Sequence, residues 1–172
     1  MATPFHLEVV IPERVLFSGE VDEVSMRTDG GEIAFLAHHE DYVGAVDITV
    51  AKLSVVTNAQ STSDTEVTTL LIAVHGGFVH FDGEAMTVLA TVAELGSEVD
   101  VDRARQALVT AEERFALEGP ATKPGVPNDE GTEESPTRLT GAMVALLAPD
   151  SAEAAVARAK VRLEAAGAAT NS

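Results

Sequence analysis

The chain has 172 residues, of which 45% are apolar and 4% aromatic, with no Trp. This length suits one domain with an appendage, and the apolar fraction is sufficient for a core of Val, Leu, Ile and Ala. The 28 acidic and 11 basic residues give a formal net charge of −17, which repels nucleic acid phosphates and anionic lipid headgroups and so excludes both as partners.

The absence of cysteine excludes disulfide bonds, thiolate metal sites and cysteine nucleophiles. Residues 1–10 lack the basic start and long apolar run of a signal peptide, and nowhere do 18 consecutive apolar residues occur. The chain has no P-loop and no GxSxG motif, so we expect no hydrolysis by this chain alone. The sequence therefore predicts a soluble, non-catalytic protein that meets a membrane only through a partner.

Residues 1–97 carry patterns typical of β-strands. Phe5, Leu7 and Val9 occupy every second position, which is the period of a half-buried strand. Further segments rich in β-branched and apolar residues are 21–26, 33–36, 66–74, 77–81 and 84–92. Several short strands with no helical stretch among them predict an antiparallel β-sandwich over residues 1–97.

Two glycine-containing strings predict turns between these strands. Asp29-Gly30-Gly31 precedes the segment 33–36, and Asp82-Gly83 separates the last two segments. Asp-Gly favours a two-residue type I′ turn, whose twist matches that of the strands it joins. We therefore expect a β-hairpin around Asp82-Gly83.

From Asp100 the period changes to that of an α-helix. Apolar residues recur at alternating steps of three and four, at Val101, Ala104, Leu108, Ala111 and Phe115. We expect Asp100 to cap this first helix and Gly119-Pro120 to end it.

A second helix is predicted after Pro149. Asp150 is its expected N-cap, with Glu153 completing a capping box. Its apolar stripe comprises Ala152, Val156, Ala159, Leu163 and Ala166. The two stripes predict an antiparallel two-helix hairpin over residues 98–172, and their small alanine side chains predict a weak association.

An inserted segment separates the two helices. Residues 119–137 hold four prolines and an acidic cluster, and such a composition predicts a flexible linker. The apolar string LTGAMVALL at 139–147 predicts a short helix between the linker and the second helix.

Four strings in this order resemble the epsilon subunits of bacterial F-type ATP synthases. The opening strands of that family are similar to FHLEVVIPERVLFSGEVDEV, and its GELGILPGH loop with the following strand is similar to GGEIAFLAHHEDYVGAV. Its SGGF hairpin resembles LIAVHGGFVHFDGEAMTVLATVAEL, and its (I/L)DxxRA motif at the start of helix one resembles VDVDRARQAL. The resemblance covers residues 4–118 and 150–166.

The chain departs from the family pattern at several positions. Ala37-His38-His39 replaces Pro-Gly-His, His75-Gly76-Gly77 replaces Ser-Gly-Gly, and Val99 replaces the Ile or Leu of the motif. Residues 119–149 form an insertion between the helices.

The resemblance implies a central-stalk subunit of a proton-translocating ATP synthase, peripheral on the cytoplasmic face of the bacterial plasma membrane. It implies that the β-sandwich couples the gamma subunit to the ring of c subunits. It also implies that the hairpin regulates ATP hydrolysis by extending towards the catalytic alpha and beta subunits. The residues implied at the c ring are Asp29, Gly30, Gly31, Glu32 and His39. From the residues alone, we would expect Asp29 to Gly31 to form only a β-turn and Glu32 to be an exposed strand residue.

The resemblance also implies a nucleotide site. In some relatives the folded hairpin binds ATP as a regulatory ligand, with no cofactor required. The residues that match this site are Glu94, Asp100, Arg103, Arg158 and Arg162. Because Arg158 and Arg162 are four positions apart, they share one helix face and suit a polyphosphate, whereas the carboxylates suit ribose hydroxyls or the adenine amine.

A plainer interpretation of these residues stays open. Asp100 is also a good N-cap, and Arg103 also suits a surface pair with Asp102 or Glu98. The two arginines of the second helix then contribute only solvated surface charge.

Two other functions are weighed against the rotor subunit. The string His38-His39-Glu40-Asp41 contains metal-ligand residue types, but neighbours on an extended strand point to opposite sides, so no metal site is predicted. A free-standing β-sandwich that binds a small ligand or carbohydrate is the alternative function. One Tyr (Tyr42), no Trp and six Phe provide few aromatic platforms for such a ligand.

Overall fold

The computed structural model describes residues 3–57, 66–120, 122–123, 137–138 and 150–167. The strands are β1 (Phe5–Ile11), β2 (Arg14–Thr28), β3 (Gly31–Phe35), β4 (Tyr42–Thr57), β5 (Glu66–Phe81), β6 (Ala85–Ala90), β7 (Ala93–Leu95), β8 (Thr122–Lys123) and β9 (Thr137–Arg138). A 3₁₀ turn (Gly96–Glu98) leads into the helices α1 (Val101–Glu118) and α2 (Ala152–Ala165).

The first seven strands form the β-sandwich that the sequence predicts. Their order is β1-β6-β5-β4-β2-β3, with β7 on β5, and β1 also pairs with β2. That last pairing closes a ring of five strands. One pair differs from the predicted antiparallel arrangement, because β1 and β6 are parallel.

The core of the sandwich follows from alternation along the strands. In β1, Phe5, Leu7 and Val9 are buried, while His6 and Glu8 remain accessible to solvent. The other large, fully buried side chains of this core are Val21, Val24, Phe35, Val46, Leu53, Ile72, Val74, Val79, Phe81 and Met86. Each such side chain contributes roughly 1.5–3 kcal/mol of hydrophobic free energy.

The structure corrects the prediction of two separate strands at 66–74 and 77–81. They form one strand, β5, which bends at Gly76 and Gly77, with φ of 85° and 149°. A Cβ on Gly77 would overlap the carbonyl oxygen of Leu89, so the neighbouring strand approaches too closely for any other residue. The bend explains why the pattern is interrupted without ending the strand.

The predicted hairpin is present, but its turn type is not the one expected. The connection between β5 and β6 has three residues, Asp82 to Glu84. The Asp82 carboxylate accepts hydrogen bonds from the backbone N–H of Glu84 at 3.0 Å and of Ala85 at 2.8 Å. Gly83 has a φ of 89°, but Asp82 lacks the positive φ of a type I′ turn. Capping by the carboxylate side chain therefore forms this turn.

Helix α1 agrees with the prediction at both ends and along its stripe. The Asp100 carboxylate accepts a hydrogen bond from the backbone N–H of Arg103 at 3.0 Å, as an N-cap does. Gly119, with a φ of 73°, terminates the helix. Ala104 and Ala111 of the predicted stripe are buried, and the other three members are half-buried.

Helix α2 packs against α1, as predicted, but it begins differently. Ser151, not Asp150, is the N-cap, and its hydroxyl accepts from the backbone N–H of Ala154 at 3.2 Å. Asp150 instead offers its backbone carbonyl to the Arg114 guanidinium at 2.6 Å. The shorter serine side chain thus satisfies one of the first free amides of the helix.

A second face of α2 is also buried, which the single predicted stripe does not include. Val161 and Ala165 pack against Val50 on β4 and Ala73 on β5. The helix therefore lies between α1 and the outer surface of the sandwich, and it connects the hairpin to the β-domain.

The segment predicted as a flexible linker, 119–137, contains β8 and the first residue of β9, and these two short strands pair in an antiparallel ladder. The short helix predicted at 139–147 lies outside the described residues.

Candidate functional site

Four of the five predicted nucleotide-site residues line one cleft of about 390 Å³. Glu94 comes from β7, Asp100 and Arg103 from the start of α1, and Arg162 from the last turn of α2. The antiparallel packing of the helices brings the end of α2 beside the beginning of α1. Residues distant in sequence therefore meet at the junction of hairpin and sandwich.

A partly buried ion pair crosses this cleft. The Arg162 Nε donates to Glu94 Oε1 at 2.7 Å, and its Nη2 lies 2.6 Å from the same oxygen. The side chains are only 27% and 32% exposed, so water screens the pair less than it would at the surface. This contact contradicts the interpretation of Arg162 as solvated charge, and it joins α2 to the β-domain.

Asp100 and Arg103 contribute differently to the cleft. The Asp100 carboxylate is occupied as the N-cap of α1, as the plainer interpretation predicted. Neither expected pair of Arg103 forms within 4 Å, because Asp102 pairs with Arg105 at 3.8 Å and Glu98 pairs with Arg14 at 3.3 Å. Among the described residues, no carboxylate pairs with the Arg103 guanidinium, so it can meet an anionic ligand in the cleft.

Arg158 is the predicted site residue that does not line the cleft. Burial, together with the positive charge of Arg162, lowers the pKa of Arg158. The helical spacing of four is present, but the two arginines do not converge on the same cavity.

His75 is a buried polar residue that the sequence analysis did not select. The residue is 6% exposed, and within the described part of the chain neither ring nitrogen has a hydrogen-bond partner. Burial, followed by the charges of Arg162 and Arg158, lowers the pKa of His75 to about 3. A lone histidine in a strand has no sequence signal for such a position, because its covering by α2 is a tertiary contact.

The predicted c-ring turn connects β2 to β3 and is held by Thr28. The Thr28 hydroxyl accepts from the backbone N–H of Gly30 and donates to the Gly31 carbonyl, each at 3.3 Å. The backbone N–H of Asp29 donates to the Ala45 carbonyl at 3.0 Å. The Glu32 side chain is 82% exposed, and its Oε1 lies 3.8 Å from Arg27 Nη2 in an exposed ion pair of the kind that contributes little.

His39, the other predicted c-ring residue, lies at the opposite end of β3. Its Nδ1 donates to the Glu40 carbonyl at 2.8 Å, and its ring packs edge-on against Phe35 at 5.4 Å. Tyr42 links the two loops, because its ring contacts Phe35 at 5.3 Å and its hydroxyl donates to Thr28 at 2.8 Å. The Tyr42 side chain therefore connects the turn at Asp29 to Glu32 with the loop that contains His39.

The sequence analysis considered the string at 38–41 as a metal site and predicted none. In the described part of the chain, no three His, Asp or Glu side chains are arranged to hold a metal ion. The string lies in the loop between β3 and β4, where His38 adopts a φ of 64°, and not on the extended strand that the sequence analysis assumed.

An exposed group of apolar side chains, the apolar patch, lies on the outer surface of the sandwich. It comprises Val43 on β4, Phe78 on β5 and Leu89 on β6, which are 73%, 52% and 54% exposed. Phe78 and Leu89 are direct cross-strand partners. Sequence reasoning placed Phe78 and Leu89 in strands but could not tell which face would remain uncovered.

Comparison with known proteins shows where the fold recurs. The family described as "ATP synthase, Delta/Epsilon chain, beta-sandwich domain" matches residues 4–96. The ATP synthase epsilon chain of Carboxydothermus hydrogenoformans is 39% identical over 70% of this chain and 82% of its own length. That of Streptomyces avermitilis is 36% identical over 71% of this chain and 88% of its own length.

A solved structure shares the fold at low sequence identity. The cryo-EM structure of the Euglena gracilis mitochondrial ATP synthase, containing OSCP, F1 and the c-ring, includes a chain that matches with a TM-score of 0.55 and 16% identity. The match covers 88% of this chain and 78% of that one. Within the described residues, neither helix is long and apolar enough to cross a membrane.

Proposed function

Because the chain belongs to the epsilon subunits of F-type ATP synthases, and is thus a subunit of the central stalk, we propose that its β-sandwich couples the gamma subunit to the c ring. The subunit is not catalytic in this role. It is peripheral on the cytoplasmic face of the bacterial plasma membrane and meets the membrane only through the complex.

The apolar patch is the observation that supports gamma binding most directly. Val43, Phe78 and Leu89 expose large apolar surfaces on a chain whose net charge is −17. Contiguous exposed apolar surface of this kind marks a protein interface. The patch lies on the part of β4 and β5 beyond the bend at Gly77, where α2 does not cover the strands. The gamma subunit is therefore assigned to this face.

The turn Asp29 to Glu32 supports contact with the c ring. It is short, held by Thr28, and carries the exposed carboxylates of Asp29 and Glu32. Such carboxylates complement basic side chains in the polar loops of the ring. Tyr42 connects the turn to Phe35 and His39, so a load applied at the turn reaches the core of the sandwich.

Binding of the full-length chain to the gamma subunit tests this function. Phe78→Asp places a charge in the apolar patch, and we expect it to weaken gamma binding by about a hundredfold, the effect of losing an aromatic anchor. Val109→Asp is the matched control, because Val109 on α1 is 57% exposed and lies outside the patch. Equal gamma affinity of both variants, with unchanged circular dichroism, would contradict the assignment.

ATP is the second ligand that the geometry supports, bound in the cleft of Glu94, Asp100, Arg103 and Arg162. The guanidinium of Arg103, which lines the cleft, suits a phosphate, and the Glu94 carboxylate suits a ribose hydroxyl or the adenine amine. The Glu94–Arg162 pair must rearrange to admit the ligand. ATP bound only by the folded hairpin would favour that state by mass action, so it would regulate hydrolysis by the alpha and beta subunits.

Isothermal titration of the full chain with ATP tests this ligand. We expect saturable heat that Arg103→Gln abolishes, while Arg105→Gln leaves it unchanged because Arg105 does not line the cleft. No heat at millimolar ATP would remove ATP from the mechanism and leave the coupling role intact.

Co-purification separates this function from a free-standing ligand-binding β-sandwich. The rotor role requires the gamma subunit as a stable partner. An autonomous protein with no affinity for gamma would favour the alternative.

A further inference from the structure

His75 lies on β5 where the strand passes beneath α2. Its cross-strand partner on β4 is Ile48. Since side chains alternate along a strand, His75 shares a face with Ala73, which packs against Val161 of α2. With 6% of its surface exposed, the imidazole is part of the contact between hairpin and sandwich.

Both nitrogens of the His75 ring are buried, and none of the described residues provides them with a hydrogen-bond partner. An unpaired polar group is unfavourable in such a contact, and a charged imidazolium is much more so. The imidazole can therefore remain in this place only while it is neutral.

The charged groups around His75 strengthen this constraint. Arg158 and Arg162 face it from α2 and repel a positive imidazolium. On β7, the Glu94 carboxylate is engaged by Arg162. On β4, Asp47 is next to the partner Ile48, and burial raises the pKa of this carboxyl group.

We propose that His75 makes the docking of α2 on the sandwich dependent on pH, because the protonated imidazole cannot be accommodated beneath α2 and its formation releases the helix. The pH dependence of docking arises at the contact between α2 and the sandwich and does not depend on the function of the chain. Its consequence for ATP hydrolysis rests on the proposed regulatory role of the hairpin, in which acid would favour the released state.

The sign of the dependence follows from the two pKa values. The imidazole titrates near 6.5 when α2 is released and near 3 when α2 is docked. The docking constant of α2 is therefore independent of pH above the released-state pKa, and it decreases as the pH falls from 6.5 towards 3. At pH 5.5 the docking constant is expected to be about tenfold below its value at neutral pH. Asp47, whose pKa is raised, has the opposite sign and would oppose the release.

Thiol labelling of the full-length chain measures this release, because the chain contains no natural cysteine. In Val161→Cys the thiol replaces a side chain buried between α2 and the sheet, so it reacts only when α2 opens. Glu164→Cys, exposed on the same helix, normalises the intrinsic reactivity at each pH. A disulfide reagent that reacts in acid allows measurement between pH 7 and 5.

The ratio of the two labelling rates is expected to rise about tenfold between pH 7 and 5.5. His75→Leu and His75→Gln should each abolish this rise, because neither replacement titrates. His80→Gln changes an exposed histidine on the same strand and should leave the rise intact. Circular dichroism at each pH reports whether the sandwich stays folded.

A ratio that does not change with pH in the otherwise unmodified chain would overturn the inference, as would a rise that survives in both His75 variants. Neither result affects gamma binding, which is measured separately. Failure of this inference and failure of the proposed rotor role are therefore distinguishable.

Discussion

The Cα of Gly96 lies so close to the backbone of Ala165 that a Cβ on Gly96 would overlap the Ala165 carbonyl oxygen. Gly96 begins the 3₁₀ turn after β7, and Ala165 is the last residue of α2. This approach brings the end of the hairpin directly onto the β-domain. It adds a steric requirement to the apolar contact that Val161 and Ala165 make with the sheet.

Gly96→Ala should therefore weaken the docking of α2 by about 1–3 kcal/mol, the usual cost of overpacking. Hydrogen exchange of the α2 amides in the full chain measures the effect. Gly19→Ala is the control, because its added Cβ would meet only the flexible Phe17 ring at 3.4 Å. Unchanged protection of α2 in Gly96→Ala would show that the close approach does not hold the helix.

Glu94→Gln should loosen the same contact by removing the charge that Arg162 binds. We expect a loss of about 1 kcal/mol in docking free energy, since the pair is partly buried and hydrogen-bonded. Glu98→Gln is the matched control, because Glu98 pairs with Arg14 across 3.3 Å in an exposed setting where ion pairs contribute little.

A double-mutant cycle with Arg162→Gln isolates the Glu94 pair from other effects of each substitution. The coupling free energy should exceed that of the Glu98–Arg14 pair. Equal coupling in both pairs would contradict a special role for the partly buried Glu94–Arg162 pair.

The elements that sequence reasoning predicted well have one solvent-exposed face and one buried face. In β1, Leu7 and Val9 alternate with accessible neighbours, and in α1 the buried Ala104 and Ala111 recur at a helical spacing. Polar and apolar positions then differ in the sequence as they differ in the structure. The period can be read directly in such elements.

The elements that were missed are covered on both sides. Residues 47–57 of β4 were not predicted as strand. Val50 is covered by α2 while Ala51 and Leu53 face the core, so the apolar positions change face within the segment and no single alternation runs through it. The second buried face of α2 was missed for the same reason, since Ala154 differs little from the alanines of the predicted stripe. Two-sided burial removes the contrast on which the prediction depends.

The candidate site was predicted only as a set of residues. Family resemblance supplied Glu94 and Arg162, but their direct contact joins positions 68 residues apart and depends on how α2 packs. The failure of Arg158 to line the cleft has the same cause. Helical spacing gives a shared face, whereas the cavity that the face meets is a property of the tertiary structure.

Tyr42→Phe should weaken the connection between the c-ring turn and the core. The substitution removes the 2.8 Å hydrogen bond to the buried Thr28 hydroxyl but keeps the ring contact with Phe35. We expect the free energy of unfolding to fall by about 1 kcal/mol in a urea titration. Hydrogen exchange should also increase at the backbone N–H of Gly30, which donates to the same hydroxyl.

Thr28→Val completes the test, since it removes the shared partner. The double variant with Tyr42→Phe should be scarcely less stable than Thr28→Val alone. Additive losses would show that the two side chains act independently and that Tyr42 does not brace the turn.

The β5–β6 hairpin should loosen in acid through Asp82. Hydrogen bonds from the backbone N–H of Ala85 and then Glu84 lower the pKa of this carboxyl group below its usual value of 3.8. Its contribution to stability is therefore fully present above that value and is lost as the pH falls through the lowered pKa. Asp82→Asn removes the titration, so the melting temperature should fall less between pH 5 and pH 2 than it does in the unmodified chain. Asp41→Asn, in the neighbouring loop, is the control for the loss of one carboxylate, and a pH profile identical to that of Asp82→Asn would show that the turn contacts of Asp82 do not cause the difference.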